Sequence, residues 1–406
     1  MKIMILSDLY PPLVGGVERH VQSLSEQLSQ RGHKVFVCTI GQRDLAVYEE
    51  KNGVRVYRLE GLFQKIPLLY RDSARKGHPP IQDWLISKRL AQIIARERPD
   101  IIHAHGWMVY SALPLKKRFK IPLVYTMHGY RLFCPKMTLM KDNSICDKTL
   151  TLNCIPCMRP DQGLLRALFT YAGVKANMSK LKSVDRFIAV SYFLKDIYEK
   201  HLGVRNAKIE IILNFYAPNA DEASIKVENL PDDFVLFVGQ LMSHKGVEVL
   251  IKAYQKLDVK TKLLIIGVEH PDYRYEGTEN VLIVKNAPHP AVMGAMSKCR
   301  FLVVPSICAE SASTVAREAM SQRKAVIASD IGGLKEAVVD GETGILVPPG
   351  DADKLAEALS YLLQRPETAS KMGESGYRRF MANYTSDIVI PKIIELYESL
   401  VNSKLF

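Results

Sequence analysis

Residues 308 to 320 read CAESASTVAREAM and place two carboxylates, Glu310 and Glu318, eight positions apart. A helix turns 100° per residue, so eight steps leave the two side chains about 80° apart around the axis and roughly 12 Å apart along it. They are too distant to share one proton, and they suit the two ends of an elongated ligand. Small residues, Ser311 to Thr314, lead into a helix capped near Ser313 or Thr314. The N–H groups of Thr314 and Val315 can hold an anion between the carboxylates. A polyhydroxylated end, an anionic middle and a ribose end together describe a nucleotide sugar. The plain structural alternative leaves Glu318 facing solvent.

Three further stretches carry chemistry-bearing residues. In VGQLMSHKGVEVL, Lys245 and Gly246 end a loop and open a helix, so an ammonium and free N–H groups point where a diphosphate could lie. In LYPPLVGGVERH, Gly15 and Gly16 stand between a strand and a helix and allow close backbone approach to an anion, although such a pair alone also makes an ordinary tight turn. The spacing is not G-x-G-x-x-G, and the next strand end, CTIGQ, offers no acidic residue to a ribose, which disfavours a dinucleotide. His103, His105 and His128 fall at strand ends in IIHAHGW and YTMHGY. A histidine there can bond a substrate hydroxyl or phosphate, or act as a base, because it titrates near neutrality. Metal ligation is the rival, disfavoured because no carboxylate stands at ligand spacing. At least one of the three reads as a buried structural histidine.

Cys134, Cys146, Cys154 and Cys157 lie within 24 residues and end in CxxC, inside an insert spanning 131–160 with little apolar pattern of its own. Four thiols at this spacing fit a tetrahedral structural zinc site; free thiols and an iron–sulfur cluster are the alternatives. Cys38, Cys299 and Cys308 sit in or beside strands and read as core.

The elements that position these residues follow from hydrophobic period. A 406-residue chain that is 47% hydrophobic and 24% charged is too long for one core, so two domains are expected. Short apolar strands alternate with amphipathic helices: KIMILS, KVFVCTI, VRVYRL, DIIHAH, PLVYTMH and RFIAVS in the first half, with helices over 18–31 and 83–96. FVLFVGQ, KLLIIG, NVLIVK, RFLVVP, AVIASD and GILVPP follow in the second, with a helix from Val247. The pattern predicts two doubly wound α/β domains with parallel sheets, 1–213 and 214–385, joined by a polar linker over 214–233. A last helix within 386–406 returns to the first domain. Ligands bind at the carboxyl ends of such strands, and every motif above stands at one.

Charge is uneven. The chain carries +12 in all, yet residues 1 to 214 hold 34 Lys and Arg against 18 Asp and Glu, and the remainder is net acidic. A basic half suits an anionic membrane surface, a phosphorylated substrate or nucleic acid, or is simply a solvated face. Residues 61 to 78, GLFQKIPLLYRDSARKGH, interleave Leu62, Phe63, Leu68 and Leu69 with Lys65, Arg71, Arg75 and Lys76, which suits a lipid headgroup boundary. No apolar run is long enough for a membrane helix and the start reads as a strand, so a cytoplasmic protein, in part peripheral at the inner membrane face, is expected.

In order and over nearly the whole chain, GGVERH, HAHGW, YTMHGY, VGQLMSHKG, the E-x7-E of Glu310 and Glu318, ASDIGGLKEAVVDGETGILVPPGD and the final helix resemble family 4 of the retaining glycosyltransferases. The resemblance implies the GT-B fold: two facing Rossmann-like domains with a cleft between them, acceptor bound mainly by the first and nucleotide sugar by the second. It further implies that Glu310 contacts the donor sugar, Glu318 the ribose, Lys245 the diphosphate, and the Gly15–Gly16 loop the donor phosphate or acceptor. His128 would match the histidine near the reacting carbon. No catalytic cofactor and no nucleic-acid partner are implied; the nucleotide sugar is a substrate. Two positions depart from the family: Gln240 stands where an arginine is usual at the diphosphate, and ESAS replaces a glycine-rich segment. Arg317 and Lys324 are the nearby cations in sequence. The alternatives are a GT-B sugar-nucleotide epimerase and a catalytically weak nucleotide-sugar-binding protein.

Overall fold

Sixteen strands and thirteen α-helices are assigned among the described residues, beginning with β1 (Lys2–Ser7), an apolar run buried on both faces as a central parallel strand requires. The structure is a computed structural model that describes residues 1–13, 15–70, 75–141, 144–204, 208–217, 230–268 and 278–403. It divides into two units: the first comprises Met1–Lys141, Cys146–Leu213 and Val389–Phe406, and the second comprises Asp142–Ile145 and Asn214–Ile388. Of the linker expected over 214–233, residues 218–229 lie outside the described residues.

In the first unit, β1 is followed by α1 (Gly16–Gln30), β2 (Lys34–Ile40), β3 (Tyr48–Lys51), β4 (Val54–Leu59), α2 (Trp84–Glu97), β5 (Ile101–Ala104), α3 (Val109–Phe119) and β6 (Leu123–Met127). A small ribbon, β7 (Met140–Lys141) and β8 (Ser144–Ile145), precedes α4 (Cys154–Gln162), α5 (Leu164–Asn177), β9 (Arg186–Ala189), α6 (Tyr192–Leu202) and β10 (Ile209–Ile211). The main sheet runs β10-β9-β6-β5-β1-β2-β4-β3 and is parallel except for β3, which pairs antiparallel with β4. The order reverses direction at β1, which pairs with β2 on one side and β5 on the other. That reversal is a topological switch point, where loops leaving neighbouring strands diverge and open a crevice. β3 and β10 are edge strands too short and polar for their period to be read from sequence.

The second unit runs β11 (Phe234–Gln240), α7 (Val247–Tyr254), β12 (Lys262–Val268), β13 (Val281–Lys285), α8 (His289–Lys298), β14 (Leu302–Val304), α9 (Thr314–Ser321), β15 (Val326–Ser329), α10 (Leu334–Ala337), β16 (Gly344–Val347), α11 (Ala352–Leu363) and α12 (Pro366–Asn383). Its sheet, β13-β12-β11-β14-β15-β16, is all parallel, with its switch point between β11 and β14. Val235, Phe237, Leu263, Ile265, Val303 and Ile327 fill one side of that sheet with α7 and α11 packed over them. The last helix, α13 (Ser386–Asn402), belongs to the first unit from Val389 onward. It is anchored there by Tyr397, whose hydroxyl lies 2.5 Å from His103 Nδ1.

Candidate active site

The switch point of the second unit brings Lys245 and Glu310 together. Lys245 ends a 3-10 turn (Ser243–Lys245) after β11, and Glu310 lies in the loop after β14. Lys245 Nζ donates to Glu310 Oε1 at 2.6 Å, and Ser306 Oγ donates to the same oxygen at 2.7 Å. Burial alone would lower the Lys245 pKa, but the adjoining carboxylate outweighs it and holds the ammonium above its ordinary value. Burial pushes Glu310 up, and Lys245 with Ser306 more than offsets this, so the carboxyl sits below its usual range. Both groups are therefore charged at neutral pH, 65 residues apart in sequence.

The backbone around the pair is fixed from both sides. Gly246 has φ +74°, and a Cβ there would lie 1.8 Å from the Pro305 carbonyl oxygen, so only glycine lets the β11 loop close onto the β14 loop. The N–H groups of Ile307 and Cys308 donate to the His244 carbonyl at 2.9 and 3.1 Å. From the loop after β15, the N–H of Gly333 donates to the Glu310 carbonyl at 2.6 Å, with Gly332 at φ +57° allowing the approach. Three adjacent strands thus deliver three interlocked loops around one carboxylate.

Glu318 lies one turn into α9, which Ser313 caps by accepting from the Ala316 N–H at 3.4 Å; Thr314 and Val315 are its first two residues. At 3% exposure Glu318 does not face solvent, and its Oε1 lies 2.9 Å from His289 Nε2 at the start of α8. Ser306 and His289 had no sequence signal, since a hydroxyl four residues from Glu310 and an imidazole 29 residues from Glu318 are joined to them only by the fold. Arg317 is not a substitute cation beside Lys245: it is buried with its guanidinium 5.0 Å over the Tyr384 ring. Gln240, the last residue of β11, is exposed at the strand's carboxyl end.

In the first unit the histidines separate into two roles. His103 is wholly buried, with Nδ1 against Tyr397 and Nε2 2.6 Å from Thr126 Oγ1, and burial pushes its pKa down to about 3. It is the structural histidine. His105 and His128 face each other, Nδ1 to Nε2 at 2.8 Å, and His20 from α1 joins them with its ring 5.1 Å from that of His128. Burial and their neighbours' charge hold both His105 and His128 well below the ordinary value, so these two imidazoles are neutral. Candidate ligand atoms of His20, His105 and His128 lie within 4.8 Å of one another, and these are the residues that could hold a divalent transition metal. Asp8, at the end of β1, fixes this corner by accepting from the N–H groups of Trp107 and Met108, each at 2.9 Å, and from Arg131 at 2.7 Å. His20 stands in the quoted GGVERH, but only the fold shows that α1 turns it toward the strand ends.

Gly15 caps α1 with extended backbone, and Gly16 is its first residue. A Cβ on Gly15 would lie 2.0 Å from Glu18 Oε2, so the space beside this glycine is taken by the chain's own carboxylate.

The four cysteines of the insert flank one segment without forming such a group. The Cys134 thiol is raised by burial and partly lowered by N–H groups of Leu139, Met137 and Lys136. The Cys146 N–H donates to the Leu139 carbonyl at 2.8 Å, and Cys157 Sγ lies 4.0 Å from the Met140 carbonyl oxygen. Cys154 begins α4. Among the described residues, the set of three or more candidate ligands within 4.8 Å of one another is the histidines. Cys38, Cys299 and Cys308 are buried thiols, as core residues should be.

Two parallel-sheet α/β units, each with its chemistry at a switch point, define a GT-B glycosyltransferase. The profile of Glycosyltransferase Family 4 matches residues 14–219, and that of Glycosyl transferases group 1 matches residues 220–379. The chain belongs to glycosyltransferase family 4. It is 28% identical over 411 residues to an uncharacterised glycosyltransferase of Methanocaldococcus jannaschii, covering 98% of this chain and 99% of that relative. Its fold matches sucrose-phosphate synthase from Thermosynechococcus elongatus with a TM-score of 0.75, at 22% identity and 99% coverage of each chain. It also matches Anabaena HepE in complex with UDP-glucose, with a TM-score of 0.69 at 18% identity, over 98% of this chain and all of that one.

Proposed function

We propose that this glycosyltransferase transfers a sugar, with retention at the anomeric carbon, from a nucleotide-sugar donor to a glycan, lipid or small-molecule acceptor, without a metal in the chemical step. The observation that supports it most is the charged Lys245–Glu310 pair at the switch point of the second unit. As the bond from the anomeric carbon to the donor phosphate breaks, the ring gains positive charge and the diphosphate negative charge. Lys245 and the N–H groups of Thr314 and Val315 stabilise the leaving diphosphate where its charge develops. Glu310 accepts from donor-sugar hydroxyls, and Glu318 from the ribose. The acceptor oxygen bonds to the anomeric carbon from the same face, and its proton passes to the departing phosphate oxygen. Neutral His128 can bond the sugar near the reacting carbon, Gln240 stands at the edge of the diphosphate, and Gly15 and Gly16 meet the donor phosphate or the acceptor.

The basic first unit is the natural face for the acceptor and for an anionic membrane, which suits cell-envelope or polysaccharide synthesis at the cytoplasmic side. A structural zinc on Cys134, Cys146, Cys154 and Cys157 would draw the sulfurs together around Leu139 and Met140. About one zinc per chain in gently purified protein is expected, and none would end that reading.

The functional test is release of nucleotide from UDP-, GDP- and ADP-linked sugars with and without acceptor extracts, followed by NMR of the product's anomeric configuration. Acceptor-dependent release with retained configuration is expected. Release without acceptor would favour an epimerase or hydrolase, and donor-induced thermal stabilisation without release would favour a binding protein.

A further inference from the structure

A region of the first unit remote from this chemistry in sequence presents apolar side chains to water on a braced scaffold. α5 reads LLRALFTYAGVKAN, apolar around most of its circumference, and a helix of that kind belongs in a core. Ala167, Gly173 and Val174 do turn inward, with Gly173 close enough to Pro80 that a Cβ would come within 2.8 Å. Leu164, Leu165 and Leu168 nonetheless face solvent, Leu165 at 63% exposure. Beside them, two 3-10 turns, Phe63–Lys65 and Pro67–Leu69, present Leu62 and Leu68, the latter at 64%. The Phe63 ring packs 5.9 Å from Phe169 of α5, which ties the turns to the helix. Asp83 accepts from the N–H groups of Leu62 and Phe63 at 2.7 and 3.2 Å and also caps α2, whose first residue, Trp84, is 74% exposed.

These turns are held from within. Gly61 N–H donates to Gln64 Oε1, and Gln64 Nε2 and the Tyr70 hydroxyl both donate to the Gly77 carbonyl, all three at 3.0 Å. Of the cations the sequence suggested, Lys65 is exposed and two others are engaged within the chain. Arg75 lies 3.7 Å from Glu18, Lys76 Nζ donates to the Gln64 carbonyl at 3.0 Å, and Arg71 is outside the described residues. Lys65, Lys88, Arg159 and Lys175 are the exposed ones, and exposed Asp161 lies 3.6 Å from Lys136. Exposed apolar anchors with exposed cations on the same elements, Lys65 in the turns, Lys88 on α2 and Lys175 on α5, match the boundary between acyl chains and anionic headgroups.

We infer that the face formed by α5, the turns over 62–69 and the start of α2 docks on an anionic lipid bilayer. A second copy of this chain is a poorer occupant, because its first half carries 34 Lys and Arg against 18 Asp and Glu and would repel its like. The inference deepens the acceptor side of the proposed function and rests on it for its biological role. Vesicle binding is read without any donor or acceptor, so its failure leaves the transfer reading standing.

The test is flotation of the full chain with vesicles of phosphatidylcholine alone and of phosphatidylcholine with phosphatidylglycerol in equal parts, over a range of salt. Binding should require phosphatidylglycerol and weaken as salt rises. Replacing Leu164, Leu165 and Leu168 by Ser should reduce it about a hundredfold, and Lys65→Ser and Lys175→Ser should each reduce it about fivefold. Circular dichroism should show unchanged folding of each variant, and Trp84→Ser is the alternative apolar deletion should the triple variant unfold. No flotation, flotation indifferent to lipid charge, or a dimer in solution that the leucine replacements dissociate would each overturn the inference.

Discussion

Burial acts on ionisable groups at the carboxyl ends of both sheets, with opposite results. In the second unit Lys245 and Glu310 lie 2.6 Å apart and both keep their charge, because each supplies what desolvation removes from the other. In the first unit burial prevails over His103, His105 and His128, and the charge of neighbouring groups adds to it, so they stay neutral. The partner, rather than the depth, sets the charge. A site that must face a departing diphosphate needs a fixed cation, whereas neutral imidazoles offer a sugar both a donor and an acceptor at no Coulombic cost.

The largest expected effect breaks the charged region directly. Lys245→Met should lower turnover by about two to three orders of magnitude, as loss of a cation at developing negative charge does. It should also raise the Glu310 pKa, because burial then loses its main opponent and only Ser306 and His244 still favour the carboxylate. Steady-state kinetics across pH would check both, and activity within a few-fold of wild type would remove Lys245 from the diphosphate.

The next effect separates the regions by pH. The folded-state pKa values of the three histidines lie below their unfolded value of 6.5, so the unfolded chain binds more protons as the medium acidifies. Stability is therefore full above about pH 6.5 and falls as pH drops below it, by about 1.4 kcal/mol per pH unit for each histidine kept neutral. Urea melts across that interval should show the slope, with His103→Gln recovering about one histidine's share. Glu310 runs differently. Its folded pKa lies below the ordinary 4.5, so its contribution is present above that value and is lost only as pH falls through the folded value. A slope near pH 6 that is unchanged in His103→Gln would contradict the neutral assignment.

The smallest effect sharpens the charged region. Gln240→Arg adds a cation at the exposed end of β11, beside the loop that carries Lys245. Donor KM should fall by about fivefold if the new guanidinium reaches the diphosphate, equivalent to about 1 kcal/mol. An unchanged KM would show that Lys245 and the α9 N–H groups already suffice.

The two regions also differ in how far sequence revealed them. Lys245 and Glu310 were legible because each follows a strand whose apolar run marks it as buried and parallel, and the carboxyl ends of such strands are where ligands gather. Ser306 and His289 were not, because hydroxyl and imidazole take their roles only from partners the fold brings within 3 Å, Glu310 at 2.7 Å and Glu318 at 2.9 Å. His20 was hidden for the same reason, since nothing in GGVERH says which side of α1 meets the strand ends. Arg317 adjoins Glu318 in sequence without joining it in space, since one residue along a helix turns the side chain 100°, here onto Tyr384. The run over α5 is apolar on most sides, so its period does not say which face turns outward, and the exposure of Leu164, Leu165 and Leu168 does.

The central claim is that Glu310 acts on the sugar as charge develops while Glu318 holds the ribose throughout. The most direct measurement is the split of kcat and donor KM in Glu310→Gln and Glu318→Gln with the donor that the panel identifies. Glu310→Gln should lower kcat far more than it changes KM, and Glu318→Gln should chiefly raise KM, because a ribose contact is made equally in ground and transition states. Small, equal effects in both variants would contradict the assignment of the pair to the donor.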